Sequence, residues 1–480
     1  MRRRFANNHK TFDYSKYMTI EALEDGYVTY FTRDVEYNLN GHKWVRLEVG
    51  LLSPILKKGD LLSIRCSLAP NERFGRFCGN HKAINLRGNI LSLIFKDDIN
   101  LDISQYPYVF DSTFIYNSGN NIVSVEKNFL PATILADSCY NCMFYGCTNL
   151  ITAPELPATI LADSCYNCMF YGTNVLPDCS NIDFSSNIIV SSGGLKGLFA
   201  GTKVADADLL NILPINSSTG KYWLPVTKLA DSCYGGMFYN CTSLTTAPEL
   251  PATTLDYMCY SDMFYGCTNL TTAPELPATT LANSCYNYMF YKCTSLTTAP
   301  ELPATTLAYY CYCSMFQGCS SLTVAPELPA TTLASYCYNS MFQDCSSLTV
   351  APELPATTLV YSCYYNMFRG CTSLTSAPEL PATKLDSNCY LNMFYGCTSL
   401  TSAPELPATK LDNYCYQSMF SNCSKLNYIK MLATDISATY CLSNWLRGVS
   451  STGTFVKNKN ATWNVTGNSG VPSGWTIQKV

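Results

Sequence analysis

Cysteine is the side chain with the greatest chemical potential in this chain, because 26 cysteines accompany only three histidines in 480 residues. A nucleophilic cysteine needs a neighbouring base, and all three histidines lie within the first 81 residues, before the cysteine-rich part. Cys139, Cys142, Cys165 and Cys168 form two Cys-x-x-Cys pairs, and four thiolates can bind zinc. Cys139 and Cys165 also belong to a longer column, which favours packing. We therefore predict no catalytic residue, no metal and no cofactor.

Most of the cysteines fall into two columns that lie eight residues apart. The first column is Cys139, Cys165, Cys233, Cys259, Cys285, Cys311, Cys337, Cys363, Cys389, Cys415 and Cys441. The second column is Cys147, Cys241, Cys267, Cys293, Cys319, Cys345, Cys371, Cys397 and Cys423. Eight helical residues rise about 12 Å, too far for a disulfide within one unit. Since cysteine packs as a small hydrophobe, we predict reduced, buried thiols rather than the disulfide framework of a secreted protein.

Carboxylates recur in a column of their own, after an Ala-Pro dipeptide. The acidic stripe is Glu249, Glu275, Glu301, Glu327, Glu353, Glu379 and Glu405, with Glu155 at the same position in an earlier unit. Parallel stacking would place these groups about 5 Å apart, and like charges directly opposed are unfavourable. Two interpretations stay open. One is a solvated stripe that salt screens; the other is a row of weak sites for divalent cations or sugar hydroxyls, since calcium prefers oxygen ligands.

Tyrosines give a third pattern. One tyrosine follows the first cysteine of almost every unit, and this constancy predicts a stacked structural ladder. The two residues before that cysteine vary among Tyr, Ser, Asn, Asp and Met, a composition typical of recognition surfaces. The candidate binding residues are Tyr309, Tyr310, Ser314, Gln317, Tyr336 and Tyr361. A neutral exterior without a ligand is the alternative.

These side chains are positioned by a 26-residue repeat close to LPATTLAxxCYxxMFYGCTSLTTAPE. A fixed period in this range indicates a solenoid. Its Met-Phe pair begins at Met237, Met263, Met289, Met315, Met341, Met367, Met393 and Met419. Ala308, Cys311 and Met315 would share one helical face. Gly318 suits a helix end, and the following prolines limit any strand to a few residues. The predicted fold class is an α/β solenoid, leucine-rich-repeat-like, with a short helix and a very short parallel strand in each unit.

Other segments flank the repeats. Short β-rich runs precede them, and Asn40-Gly41 between two of these runs suits a hairpin turn. Loop signals interrupt the period once, and a divergent tail follows it. The predicted organisation is an amino-terminal arm at 1–15, an all-β sandwich domain at 16–107, the solenoid at 108–447 with an irregular, insertion-bearing stretch at 173–223, and a carboxy-terminal cap at 448–480.

The repeat resembles the BspA-type leucine-rich repeats of bacterial surface proteins. Phe290, Cys293, Leu296, Leu302 and Pro303 fill the places of that family's aromatic, Cys, Leu and strand-ending Pro residues. Arrays of this kind look like those of gut Bacteroides and their phages. The resemblance implies adhesion or recognition without catalysis. The unit here is longer than the family's, and Met stands where Ala usually precedes Phe.

The composition indicates which classes of partner this protein is not expected to bind. With 14% charged residues and a net charge of −4, nucleic acid is not an expected partner. No run of about 18 apolar residues occurs, so membrane insertion is not expected. The start MRRRFANNHK lacks the layout of a secretory signal. We expect a non-enzymatic, virion-borne protein that presents its repeats to a cell-surface glycan or protein.

The alternatives are a bacterial cell-surface adhesin and a purely structural spacer. The amino-terminal domain is expected to attach the array to a larger particle or to support a homo-oligomer.

Overall fold

The computed structural model describes residues 12–27, 30–78, 82–115, 121–174, 192–211 and 213–480. The chain divides into two compact units, Met1–Asp183 and Phe184–Val480. Most of the predicted arm at 1–15 and much of the irregular stretch at 173–223 lie outside the described residues.

The amino-terminal region of the first unit is rich in β-structure. Its strands are β1 (Met18–Ala22), β2 (Tyr30–Phe31), β3 (Val35–Leu39), β4 (Trp44–Leu47), β5 (Leu61–Arg65), β6 (Phe77–Cys78), β7 (Ala83–Arg87) and β8 (Asn121–Val125). Six form one sheet in the order β4-β3-β5-β1-β7-β8, and β2 pairs with β6. The β-rich character predicted for this region is confirmed, whereas the packing of two sheets as a sandwich stays a prediction.

Turn chemistry fixes the first hairpin of this sheet. Asn40 and Gly41 have φ angles of 53° and 76° between β3 and β4, and a type I′ turn needs two such residues in succession. The predicted hairpin is therefore confirmed. One short helix, α1 (Ser92–Phe95), is the only α-helix in the described part of the chain.

Opposite charges converge on one arginine of the sheet. Arg65 Nε lies 2.7 Å from Glu36 Oε2, and Arg65 Nη1 lies 2.8 Å from Asp97 Oδ2. Its guanidinium also lies 4.1 Å from the ring centroid of Trp44. The planar, always charged arginine suits such simultaneous contacts. This region is thus held in part by individual ionic partners.

The segment predicted to be the helix of each unit is not helical, which corrects the α/β assignment. In the unit that begins at Leu302, residues 309–318 form consecutive turns. Tyr310, Ser314 and Gly318 have φ angles of 55°, 53° and 76°, whereas an α-helix needs negative φ throughout. A path that turns every four residues buries the same apolar side chains that a helix would bury. The repeats therefore form a β-solenoid of 26-residue units with almost no helix.

Two sets of backbone hydrogen bonds stabilise this path. The N–H groups of Cys311, Cys313 and Met315 each donate to the carbonyl three residues earlier, at 3.2 to 3.3 Å. The residues between them donate to the next unit instead, as Tyr312 does to the Cys337 carbonyl at 3.0 Å. Alternate donors therefore close the turns and join the coils, which satisfies buried backbone groups without a helix.

Equivalent side chains stack along the array. The ring centroids of Phe290 and Phe316 lie 5.5 Å apart, and those of Tyr312 and Tyr338 lie 5.8 Å apart. The Cys319 thiol donates to the Phe290 carbonyl at 3.0 Å, so the second cysteine column contributes hydrogen bonds as well as volume. The tyrosine ladder and the burial of both cysteine columns are confirmed. The reduced state of the thiols stays a prediction.

Short parallel pairs join neighbouring units, as the sequence predicts. Examples are the bridges from Thr298 to Val324 and from Val324 to Val350. Longer strands appear toward the carboxyl end, namely β9 (Ser402–Leu406), β10 (Tyr428–Met431), β11 (Gly453–Lys457) and β12 (Trp475–Lys479). They form a parallel sheet in the order β12-β11-β10-β9. The parallel pairing thus continues into the segment predicted as the cap.

The described part of the irregular stretch contains a recognisable coil. Phe199 stacks on Phe238 with centroids 5.8 Å apart, so Leu198 and Phe199 occupy the Met-Phe position of a unit. A 3₁₀ segment, Asp206–Asn211, follows this coil. The hairpin 214–223 comes next, in which Ile215 pairs antiparallel with Tyr222. Other 3₁₀ segments in the described ranges are Tyr14–Lys16, Lys127–Phe129 and Gly467–Ser469.

Candidate functional site

The structure brings together four of the six predicted binding residues as a tyrosine cluster, Tyr309, Tyr310, Tyr336 and Tyr361. The rings of Tyr310 and Tyr336 stack with centroids 4.5 Å apart. Tyr309 meets the Tyr310 ring edge-on at 4.4 Å, and Tyr361 meets the Tyr336 ring edge-on at 5.3 Å. Tyr309 is 46% exposed and Tyr361 is 39% exposed, so the cluster offers aromatic surface to solvent.

The phenol groups of this cluster are linked. Hydrogen bonding to Tyr361 raises the pKa of Tyr336. Burial raises the pKa of Tyr310, and a hydrogen bond with Tyr309 adds to that effect. Both phenols therefore stay protonated at neutral pH and can act as hydrogen-bond donors and acceptors. A rigid, neutral set of amphipathic rings suits the binding of a polar partner at low entropic cost.

Ser314 does not belong to this surface. It is only 3% exposed, because its backbone turns at positive φ and its side chain lies 3.7 Å from the Cys313 thiol. Gln317 is half-buried. Ser314, one of the candidate binding residues, therefore does not lie on the exposed surface, since no helix forms there.

A second tyrosine row was not recognised among the candidates. Tyr239, Tyr265 and Tyr291 follow the Met-Phe pair, and their rings stack with centroids 4.5 and 4.4 Å apart. All three are half-buried. The Met-Phe-Tyr sequence of these units could have indicated this row. The tyrosine that follows the first cysteine recurs in more units, and it was considered instead. This row extends the aromatic surface of the second unit.

The acidic stripe divides into paired and unpaired carboxylates. Glu249 accepts a hydrogen bond from Asn216 at 2.8 Å, and Glu405 lies 2.7 Å from the Lys430 ammonium. The exposed members are Glu275, Glu301, Glu327, Glu353 and Glu379, and none of these has an ion-pair partner among the described residues. Their free oxygens can accept hydrogen bonds from a ligand.

Two grooves lie along this stripe. The smaller one has a volume of about 320 Å³, and its lining includes Glu301, Glu327 and Pro303. The larger one has a volume of about 850 Å³, and its lining includes Glu275 and Tyr222. The repeats supply the floor of both grooves, and residues of the hairpin 214–223 also line the larger one.

The cysteines do not form a metal centre in the described ranges. There, no group of three or more His, Cys, Asp or Glu side chains is placed to hold a metal ion. Cys142 and Cys168 are half-buried, while Cys139 and Cys165 are buried. Hydrogen bonding with Cys168 raises the pKa of Cys142, and burial raises it further. A protonated thiol is a poor metal ligand and a poor nucleophile.

Comparisons with known proteins support the repeat assignment. Residues 231–375 and 335–445 match the family model described as BspA type Leucine rich repeat region. This match supports a BspA-like leucine-rich-repeat protein, of a family that is typically non-enzymatic. No match to curated proteins is found.

One solved structure with a detectable likeness is described as the crystal structure of a TLR13–ssRNA13 complex, at 14% identity and a TM-score of 0.25. The likeness covers 74% of this chain and 48% of that one, so this chain spans about half of its length. At that score the likeness carries no argument about fold or ligand.

The helices in the described part of the chain are all short. None of them is long and apolar enough to cross a bilayer.

Proposed function

We propose that this chain is a non-enzymatic recognition protein that presents the tyrosine cluster to a glycan or protein on a cell surface. The observation that carries this proposal is the meeting of Tyr309, Tyr310, Tyr336 and Tyr361 from three successive units in one exposed patch. Other units hold a single tyrosine or none at these two positions, for example Asp231-Ser232 and Ser387-Asn388, so the pair Tyr309-Tyr310 next to Tyr336 gives this part of the array a dense aromatic patch.

The surroundings of the patch support binding rather than catalysis. The repeats fit a repeat-based binding or adhesion protein. Nearby thiols are buried, and burial raises the pKa of Cys363 to about 12, which removes its nucleophilic form at neutral pH. Large, rigid tyrosine rings supply contact area with little loss of side-chain entropy.

The proposed setting is a phage particle that recognises gut Bacteroides, with the amino-terminal region attaching the array to the particle. A bacterial cell-surface adhesin is the second candidate, favoured by the match to the BspA-type repeat family. Under either setting the tyrosine cluster is the binding surface. A structural spacer would not need it.

Binding to whole Bacteroides cells tests the proposal. Labelled full-length protein is applied to the cells and measured by flow cytometry, beside a variant with Tyr309→Ser, Tyr310→Ser, Tyr336→Ser and Tyr361→Ser. Serine already stands at the equivalent positions 284, 335 and 362, so the coils tolerate it. We expect at least a tenfold loss of bound protein with a melting temperature within about 2 °C of the wild type.

The matched control carries Glu301→Gln, Glu327→Gln and Glu353→Gln on the exposed acidic stripe. We expect it to bind cells as the wild type does. Undiminished attachment of the tyrosine variant would refute the proposal. A loss confined to the glutamine variant would assign recognition to the acidic stripe instead.

A further inference from the structure

The larger groove on the acidic stripe is a concave site with a volume of about 850 Å³, and it is lined by both the hairpin 214–223 and the repeats. We propose that it binds one saccharide unit of a surface glycan, with Tyr222 as the stacking ring and Glu275 as the acceptor of sugar hydroxyls. The proposal rests on the proposed recognition function, because it names a second contact for the same class of partner. The groove and the tyrosine cluster lie in different parts of the unit Phe184–Val480, because residues between 209 and 277 line the groove.

The wall of this groove is anchored firmly. The Glu249 N–H donates to the Tyr222 carbonyl at 2.8 Å, and Leu224 N–H donates to the Glu249 carbonyl at 3.0 Å. The Asn216 side chain donates to Glu249 Oε2 at 2.8 Å. Backbone and side chain therefore both hold the hairpin 214–223 to the first glutamate of the stripe. A wall held in this way needs little ordering when a ligand binds.

A second element fixes the other side. Leu209 lines the groove from the 3₁₀ segment Asp206–Asn211. The Asp206 carboxylate accepts hydrogen bonds from the backbone N–H and the hydroxyl of both Thr245 and Thr246. Burial alone would raise the pKa of Asp206, but these hydrogen bonds outweigh it and lower the pKa. The segment is therefore tied to the coil that forms the floor.

The smaller groove is an internal control for this architecture. Its floor has the same Pro-Glu-Leu-Pro sequence, and Glu301 and Glu327 occupy the positions of Glu249 and Glu275. It lacks the lining by the hairpin and the 3₁₀ segment, and its volume is about 320 Å³ against about 850 Å³. Only the larger value lies well within the range of small-molecule sites. The irregular stretch therefore turns an ordinary part of the stripe into a site.

The lining matches a sugar in its chemistry. Tyr222 is half-buried and offers an aromatic ring beside the proline rings of the floor. The hydroxyls of Thr219 and Thr272 can donate and accept, the Thr246 hydroxyl, which donates to Asp206, can still accept, and the exposed Glu275 carboxylate can accept. A pyranose has an apolar face and a rim of hydroxyls, so it can satisfy both kinds of surface at once.

Cations fit this groove less well. Glu249 is already bonded to Asn216, and the exposed Lys221 ammonium belongs to the same lining. One free carboxylate is a thin ligand set for calcium. A cationic peptide would meet more carboxylates between Glu301 and Glu379, where none has an ion-pair partner among the described residues. A neutral ligand rich in hydroxyls is the better match.

A printed glycan array tests this inference with the full-length chain. We expect the wild type to bind a restricted set of glycans. Tyr222→Ala and Glu275→Gln are each expected to weaken that binding at least tenfold. Glu327→Gln, at the equivalent place in the smaller groove, is the matched control and should bind as the wild type does. Glu275 is exposed, so its change to Gln keeps the test valid even if Tyr222→Ala lowers stability.

The outcomes separate the two proposals. Binding that survives both groove variants, or that no glycan shows, overturns the groove proposal. Glycan binding lost only in the four-tyrosine serine variant overturns it too and supports the tyrosine cluster. Glycan binding that depends on Glu275, together with cell attachment that survives the serine variant, supports the groove and refutes the cluster.

Discussion

The amino-terminal sheet and the repeats are stabilised in different ways. In the sheet, Arg65 has its own specific partners, Glu36, Asp97 and Trp44. In the repeats, each buried residue meets its own counterpart one unit away, as Phe316 meets Phe290 and Phe342. The sheet depends in part on a few charges, whereas the array depends on neutral groups that are multiplied many times.

This difference determines where variation is tolerated. A buried ladder constrains the same position in every unit, because one altered member disturbs the packing of two neighbours. The position two residues before the first cysteine, which holds Tyr309 and Tyr361, meets solvent on one side, and there the sequence changes from unit to unit. We therefore expect binding residues on such a scaffold where the sequence departs from the common unit, and both proposed sites, at Tyr310 and at the hairpin 214–223, lie at such places.

High pH is expected to give the largest loss of stability, and this loss should occur in the repeats. Burial raises the pKa of thiols such as Cys147 and Cys165 to about 12. Their stabilising effect is complete below the unfolded thiol pKa, near 9, and is lost as pH rises toward the folded value. Each such thiol changes the unfolding free energy by about 1.4 kcal/mol per pH unit in that window.

Thermal melting between pH 7 and 11, with proteolysis products identified by mass spectrometry, measures this effect. We expect the melting temperature to fall steeply above pH 9 and the first cleavages to lie in the repeats. A melting temperature that is flat from pH 8 to 11 would contradict the burial of the thiol columns.

Acid is expected to act on the sheet, with a smaller effect. A hydrogen bond from Lys96 is the main cause that lowers the pKa of Glu36. Burial would raise the pKa of Asp97, but Tyr17 and Arg65 outweigh it and lower the pKa. The stabilising effect of both carboxylates is present above their unfolded pKa, near 4, and is lost as pH falls through the folded value. Partly exposed pairs contribute about 1 kcal/mol or less each.

The variant Arg65→Met separates this effect from general acid unfolding. We expect the amino-terminal region of the wild type to lose protection from proteolysis as the pH falls below about 4. In the variant the protection from proteolysis should depend less on pH, because the Arg65 guanidinium no longer lowers the pKa of Glu36 and Asp97. Equal pH dependence in the two proteins would show that Arg65 does not stabilise the sheet.

The period, the ladders and the parallel pairing could be predicted because they follow from identical residues at identical spacing. The local backbone could not. Ala308, Cys311 and Met315 are spaced as on a helix, and a run of turns buries them equally well. Positive φ at Tyr310 and Ser314 has no signal in those residue types, since Gly is the usual marker of that conformation. Only Gly318 gave such a signal, and a helix end explains it as well.

The candidate site shows the same limit. Four tyrosines were found because their residue type and variable positions are visible in the sequence. The groove was not found, because it needs the hairpin 214–223 to lie beside Glu275, about 50 residues further along the chain. The acidic stripe was predicted as a candidate site and the stretch at 173–223 as an insertion, but their meeting is a property of the tertiary structure.

The smallest expected effect concerns the buried tyrosine ladder. The hydroxyl of Tyr260 is buried and has no hydrogen-bond partner among the described residues, although its ring stacks on Tyr234 and Tyr286 with centroids 6.0 and 5.9 Å apart. A buried hydroxyl without a partner costs free energy, and its removal leaves the stacking intact. We expect Tyr260→Phe to leave the unfolding free energy unchanged or to raise it by up to about 1 kcal/mol.

The variant Tyr260→Leu removes the ring and should lower the unfolding free energy by about 2 kcal/mol or more. Urea denaturation of the two variants compares them directly. A loss above 1 kcal/mol on Tyr260→Phe would mean that the hydroxyl has a partner in solution, and that this ladder, like Arg65 in the sheet, depends on specific polar contacts.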